Sequence, residues 1–232
     1  MDRRRLQPYT GVVYDDGMGE RTAKQLRGRD LPSAAALCTR AFRNAPHIVH
    51  FFPDETRRPG DAAALFRMRI RYGLLFGEAH GTSASLEGLA VWLPSERASM
   101  PMWREVLAGG MGLYRAVGSE AVARMTHVSE HNRRLRVQHV PEPHLFLSLL
   151  AVDPDHQGSG HGAALMRPML ERLDRDGVPC YAETTDEGVV AFYERLGFRA
   201  GEVSTVPGTD LTVWPLVREP AGDPSTPERK AP

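Results

Sequence analysis

The stretch L-F-L-S-L-L-A-V-D-P-D-H-Q-G-S-G-H-G-A-A-L-M, residues 145–166, decides how the rest of the chain is read. A near-continuous apolar run, Leu145–Val152, stops at Asp153-Pro154. A short apolar run bounded by turn residues reads as a strand buried on both faces. Gln157, Gly158, Gly160 and Gly162 come next. Then Gly162, Leu165, Met166, Met169, Leu170 and Leu173 recur at helical spacing, an apolar stripe that would face a sheet. The order is buried strand, glycine turn, helix N-terminus. Glycines hold no side chain between backbone and ligand, so several N–H groups can converge on one phosphate at the positive end of the helix.

Outward from this stretch the pattern is α/β, one mixed sheet with helices on both faces. Downstream, Gly177 and Pro179 end the helix, and Pro168 inside it predicts a bend. A strand at Cys180–Thr184, a short helix over about 188–196 and two strands near 199–205 and 211–218 follow, the last two turned at Pro207-Gly208. Upstream, a strand is expected near 21–26. A helix is expected from Asp30-Leu31-Pro32 to about Arg43, with Asp30 as cap and Pro32 in the first turn. Residues 44–59, with Pro46, Pro53 and Pro59, read as a loop. A second helix covers about 61–76, and a hairpin pairs 82–86 with 89–93 about a Glu87-Gly88 turn. Helical segments cover about 102–117 and 119–138, broken by Gly109, Gly110 and Gly118.

The ends read as flexible tails, residues 1–19 and 219–232, the latter rich in Pro and charge, which leaves residues 20–218 as one domain. With 29 basic and 29 acidic residues the formal charge is zero, which argues against a nucleic-acid partner held by charge. No apolar run reaches about 18 residues, so no membrane span is expected. The basic start M-D-R-R-R has no apolar core behind it and is not read as a secretory signal. Cys38 and Cys180 make no disulfide framework and suit a reducing cytoplasm. Monomer and homodimer both stay open.

Gly158-Ser159-Gly160-His161-Gly162-Ala163 also fits the dinucleotide G-x-G-x-x-A fingerprint, with Glu183 about 20 residues on. In that motif the first glycine follows the strand almost at once, whereas five residues, 153–157, intervene here. Too little chain remains after Glu183 for the usual βαβαβ run. A nucleotide triphosphate loop is excluded, because no G-K-S/T is present. A nicotinamide-dependent oxidoreductase and a non-catalytic acyl-CoA-binding module remain the alternatives.

Gln157-Gly158-Ser159-Gly160-His161-Gly162 resembles the acyl-CoA turn of the GNAT acetyltransferases, Q/R-x-x-G-x-G/A, with Gln157, Gly160 and Gly162 at its fixed positions. F-Y-E-R-L-G-F, residues 192–198, stands at the matching distance after it. Residues 143–217 are similar to the puromycin N-acetyltransferase subgroup, through P-E-P-H-L-F-L, D-H-Q-G-S-G-H-G, Pro168, D-G-V-P and A-E-T-T. Val189 stands where that subgroup usually has Asn, and Ser159 where a basic residue is common. The resemblance implies a mostly antiparallel central sheet and acetyl-CoA as co-substrate. It also implies direct attack by a small amine, with no covalent enzyme intermediate and no metal.

On this resemblance the pyrophosphate falls to the main chain of Gln157, Gly158, Ser159, Gly160, His161 and Gly162. The pantetheine arm would pair with the edge of Leu150, Ala151 and Val152, as an added strand would. Phe192 packs at the cofactor and Tyr193 is the acid. A phenol with pKa near 10 stays protonated at neutral pH and can protonate a thiolate of conjugate pKa about 8.5. Helical spacing alone would equally place Tyr193 in the core, with Val189, Phe192 and Leu196. Glu183 is the candidate base, with His144 a second choice. The acceptor pocket is expected from the histidine-bearing loop 46–54, with His47, Phe51 and Phe52, and from Trp92, Met100, Met102, Trp103, Met111 and Tyr114, and the resemblance implies a partly apolar primary amine such as an antibiotic or aminoacyl nucleoside.

Overall fold

The protein, seen here in a computed structural model, is described over residues 13–15, 20–83 and 85–221. The rest of the expected tails, 1–12, 16–19 and 222–232, lies outside these residues. Within the first tail, β1 (Val13–Asp15) pairs antiparallel with β2 (Glu20–Thr22). The strand expected at 21–26 thus divides, its second part forming β3 (Lys24–Gln25) in the main sheet.

Helix α1 (Leu31–Ala41) begins with Pro32 in its first turn. Asp30 does not cap it: its carboxylate accepts instead from the Arg27 N–H at 2.8 Å. The expected loop at 44–59 holds a short helix, α2 (Pro46–Phe51). Pro46 opens rather than blocks it, because the first turn needs no donor from the proline nitrogen. Helix α3 (Arg58–Phe76) leads into β4 (Glu78–Gly81) and β5 (Gly88–Pro94). The first hairpin strand therefore lies before Thr82, and 82–87 is the turn. Its polar residues are used up locally: Thr82, Ser83 and Ser85 donate their hydroxyls to the Glu87 carboxylate at 2.7, 2.7 and 2.6 Å.

Next come α4 (Ser95–Ala98), α5 (Met102–Ala108) and α6 (Gly110–His139). Gly109 at φ 103° separates α5 from α6, and Gly118 at φ 78° interrupts α6. Strand β6 (Leu145–Val152) is followed by α7 (His161–Asp176), which runs through Pro168 and ends at left-handed Gly177. Then follow β7 (Cys180–Thr184), α8 (Val190–Glu194), β8 (Arg199–Ala200), β9 (Ser204–Thr205) and β10 (Thr212–Arg218). The strand expected over 199–205 is thus two short pieces, both paired with β10.

The main sheet runs β3-β4-β5-β6-β7-β10-β8, and every pairing is antiparallel except β6 with β7. One face carries α1, α2, α3 and α6 over a core of Leu37, Ile48, Phe66, Ile70, Leu89 and Val91. The other carries α7 and α8 over Trp92, Leu147, Met166, Met169, Leu173 and Leu216. The alternation on β5 is regular, Leu89 and Val91 to one core, Ala90 and Trp92 to the other. On β6 it inverts part-way. Leu145 and Leu147 pack under α7, whereas Leu149 and Ala151 pack under α1 and α3. The cause is a bulge: Trp92 opposes Leu147 and Val91 opposes Leu149, so Ser148 is the extra residue.

Candidate active site

Strands β6 and β7 part almost as soon as they meet. Their ladder holds only Leu145 opposite Cys180 and Phe146 opposite Tyr181. On its other side β6 stays paired with β5 as far as Val152 opposite Gly88. From Leu147 to Val152 one edge of the strand therefore opens onto a cleft of about 1760 Å³. The bulge at Ser148 lies at the start of this opening, where extra twist helps turn one strand from its neighbour.

The glycine turn forms one end of the cleft. Asp153 anchors it, accepting from Arg40 Nε at 3.0 Å and also from Arg40 Nη2, and from the Asp155 N–H at 3.2 Å. The Arg40 hydrogen bonds hold its carboxyl below the usual range. Gln157 Nε2 donates back to the Val152 carbonyl at 3.3 Å, folding the turn over the strand end. Gly158 and Gly160 are left-handed, at φ 79° and 81°, a conformation that other residues adopt only with strain. Gly160 is the N-terminal cap of α7, and no side chain caps that helix. A Cβ on Gly162 would meet Phe192 Cζ at 3.2 Å, so the Phe192 ring lies close over the first turn. Of the residues expected to hold the cofactor, Leu150, Ala151, Val152, Gln157, Gly158, Gly160, His161, Gly162 and Phe192 line the cleft, and Ser159 does not.

Both expected catalytic side chains also line it. Tyr193 is buried to 8 % exposure, its ring edge-on to Phe192 and Phe198. Burial pushes its phenol pKa up, so the hydroxyl stays protonated well past neutral pH. Glu183, on β7, accepts from Asn132 Nδ2 at 2.8 Å. Its Oε2 and the Asn132 Oδ1 have no hydrogen-bond partner among the described residues. Burial raises the Glu183 pKa, and Arg136, Asn132, Arg69 and Tyr181 oppose that rise. His144 is no second candidate, because it is buried away from the cleft with Nδ1 at 3.0 Å from the Pro141 carbonyl.

The acceptor end differs from expectation. Phe51 lines the cleft, but Phe52 is buried in the core beside it. Trp92 points to the α7 core and Trp103 lies outside, 58 % exposed. For Trp92 the reason is strand parity: it alternates with Val91 and so takes the opposite face of the sheet. Met100, Met111 and Tyr114, which were expected here, line the cleft and, with Leu113 and Met125, supply the apolar wall.

His47, from the loop expected to serve the acceptor, lines the cleft, as do two arginines that the sequence had not pointed out, Arg69 and Arg136. His47 Nδ1 lies 2.9 Å from Thr185 Oγ1, and burial with the charge of Arg69 holds its imidazole at about 3, hence neutral. Arg69 carried a legible signal: in α3 it follows Leu65 by four and Phe66 by three, which puts an arginine on the apolar face. Arg136 continues the i, i+4 row of Val128 and Asn132 in α6.

An open, mostly antiparallel sheet flanked by helices, with its parallel pair parted beside a glycine turn, is the GNAT acetyltransferase fold. Residues 109–198 match the family described as Acetyltransferase (GNAT) family. A solved structure described as histone acetyltransferase HPA2 and related acetyltransferase, from Corynebacterium glutamicum, is similar over 87% of this chain and 98% of its own, at 20% identity and TM-score 0.62. A yellow fever mosquito (Aedes aegypti) protein provisionally described as arylalkylamine N-acetyltransferase 7 is similar over 94% and 99%, at 12% identity and TM-score 0.60. The C-terminal condensation domain of Ebony, in complex with β-alanyl-dopamine, is similar over 85% and 97%, at 9% identity and TM-score 0.61. These identities establish fold. The family match over residues 109–198 lies on the stretch that carries the glycine turn and the parted strands.

Proposed function

We propose that residues 20–218 work as one unit that transfers an acetyl group from acetyl-CoA to the primary amine of a small, partly apolar molecule. The parting of β6 from β7 beside the glycine turn carries this reading. An unpaired strand edge offers main-chain hydrogen bonds to the amides of a pantetheine arm. The backbone of Gln157–Gly162, with the first turn of α7 behind it, suits a pyrophosphate.

The chemistry follows from the side chains beside that edge. A neutral amine attacks the thioester carbonyl, forming the C–N bond and breaking C–S. The Tyr193 hydroxyl gives its proton to the leaving sulfur, a downhill transfer to a thiolate of conjugate pKa about 8.5. Glu183 receives the proton that the amine loses, and its raised pKa brings it nearer to that task. The wall of Phe51, Met100, Met111 and Tyr114 fits an aromatic or aliphatic body on the amine. An antibiotic or an aminoacyl nucleoside is such a molecule, and puromycin is one of those to be tried. The two buried free thiols, Cys38 and Cys180, suit work in a reducing cytoplasm, as monomer or homodimer.

Free-thiol release from acetyl-CoA over an amine panel tests the proposal: puromycin, arylalkylamines and aminoglycosides. We expect release with apolar monoamines, at a kcat/KM at least tenfold above that with aminoglycosides and rising with pH to a plateau as the amine loses its proton. Preference for the polycations would contradict the apolar wall. Stabilisation by NADP rather than by acetyl-CoA would return the glycine turn to a dinucleotide.

A further inference from the structure

We infer that the acceptor amine carries an anionic group, a carboxylate or its equivalent, bound by Arg69 and Arg136 while its nitrogen faces Glu183 and Asn132. The inference deepens the acetyl-transfer reading of this cleft and rests on it.

Arg69 comes from α3 and Arg136 from α6, and both line the cleft that holds Glu183. Arg69 is half-buried and Arg136 is 7 % exposed. A guanidinium offers five N–H donors, and withholding them from water is costly unless they are paired. Among the described residues neither side chain makes a hydrogen bond or an ion pair. Arg136 is held by its stacking on Phe146, with the guanidinium carbon 4.6 Å from the ring centroid. That contact fixes the plane of the fork without using its donors.

A structural explanation would be that both arginines neutralise Glu183. Their placement does not fit it. Two positive charges face one carboxylate, and neither comes within 4.0 Å of it as an ion pair. Glu183 takes its hydrogen bond from Asn132 instead, and that bond fixes the Asn132 amide with Oδ1 turned away from the carboxylate. Beside the cleft, Glu183 Oε2 and Asn132 Oδ1 are buried acceptors with no hydrogen-bond partner, the Tyr181 hydroxyl lies near enough to lower the Glu183 pKa, and the two forked donors are unused. An ammonium or amine needs acceptors, and a carboxylate needs a fork of donors. A molecule bearing both, an amino acid or a compound ending in one, pairs the two forks and sets its amine against the Glu183–Asn132 pair. The apolar wall of Phe51 and the methionines takes its side chain.

Matched pairs test this: phenylalanine against phenethylamine, and tryptophan against tryptamine, by free-thiol release with acetyl-CoA. We expect kcat/KM to favour the carboxylated partner about 10- to 100-fold, the usual worth of a charge-assisted bidentate contact. Arg69→Met should bring that ratio toward one, and Arg69→Lys, which keeps charge but not the fork, should leave it between. Retained stabilisation by acetyl-CoA shows that each variant is folded. Release with equal rates, or faster release with the decarboxylated partner, overturns the anion site and leaves acetyl transfer standing. Release with no amine overturns acetyl transfer itself. Calorimetry on the CoA-saturated protein then judges the anion site without turnover. Phenylalanine must bind at least tenfold tighter than phenethylamine, and equal or undetectable binding of both overturns the inference.

Discussion

The Tyr193 hydroxyl makes no hydrogen bond among the described residues, and its side chain lines the cleft. The hydroxyl is thus left available to a group bound in the cleft. Burial raises its pKa, so it keeps its proton through the pH range in which the amine is deprotonated. Tyr193→Phe keeps the two edge-on ring contacts and removes only the hydroxyl. If the hydroxyl is the acid, kcat falls about 10²- to 10⁴-fold with acetyl-CoA affinity nearly unchanged. Single-turnover kinetics together with calorimetry for the cofactor check both halves. An unchanged single-turnover rate would make Tyr193 a core residue only. The sequence left that choice open, because Val189, Phe192, Tyr193 and Leu196 share one helical face.

At the scale of an element, two turns do different work. The turn before α7 is built from backbone. Gly160 is left-handed and caps the helix without a side chain, so Gly160→Glu puts bulk, charge and strain where a phosphate is expected. The variant should fold yet lose the thermal stabilisation that acetyl-CoA gives the parent, since that stabilisation scales with ligand over Kd. Normal stabilisation of the variant would remove the pyrophosphate from this turn. The β4–β5 turn is built from side chains. Hydrogen bonds from Ser85, and then Ser83 and Thr82, hold the Glu87 carboxyl at about 2, against the opposing effect of burial. A depressed carboxylate contributes stability above its unfolded pKa and loses it as pH falls through the folded one. Glu87→Gln should therefore lower Tm at pH 7, and the gap to the parent should close between about pH 4.5 and pH 2. A gap that stays constant over that range would show that the carboxylate charge is not what holds the turn.

For the whole molecule, the cleft exists because two neighbouring strands fail to stay neighbours. The apolar run of β6, the glycine turn, the stripe of α7 and the strand of β7 were all legible in the sequence, because each is a local pattern of hydrophobic period and turn chemistry. So were α1, α3 and the two helices broken at Gly109 and Gly118. Short elements were not: α2 hid among prolines, and residues 82–86 read as strand although the hydroxyls of Thr82, Ser83 and Ser85 close a turn on Glu87. The acceptor wall was the least legible part. Phe51 and Phe52 are adjacent, yet only one reaches the cleft, and the face taken by Trp92 follows from its register on β5. Tertiary structure alone decided that Arg69, Asn132, Arg136 and Glu183 meet, since α3, α6 and β7 are distant in sequence. It alone decided that β6 leaves β7 after Phe146, for a ladder is lost by the relation of two strands and not by the residues of one. The sequence by itself determined the strand, glycine turn and helix proposed to hold a phosphate-bearing cofactor, because backbone and period are local. What the cofactor's partner must look like was set by packing, because that pocket is assembled from side chains that only the fold brings together.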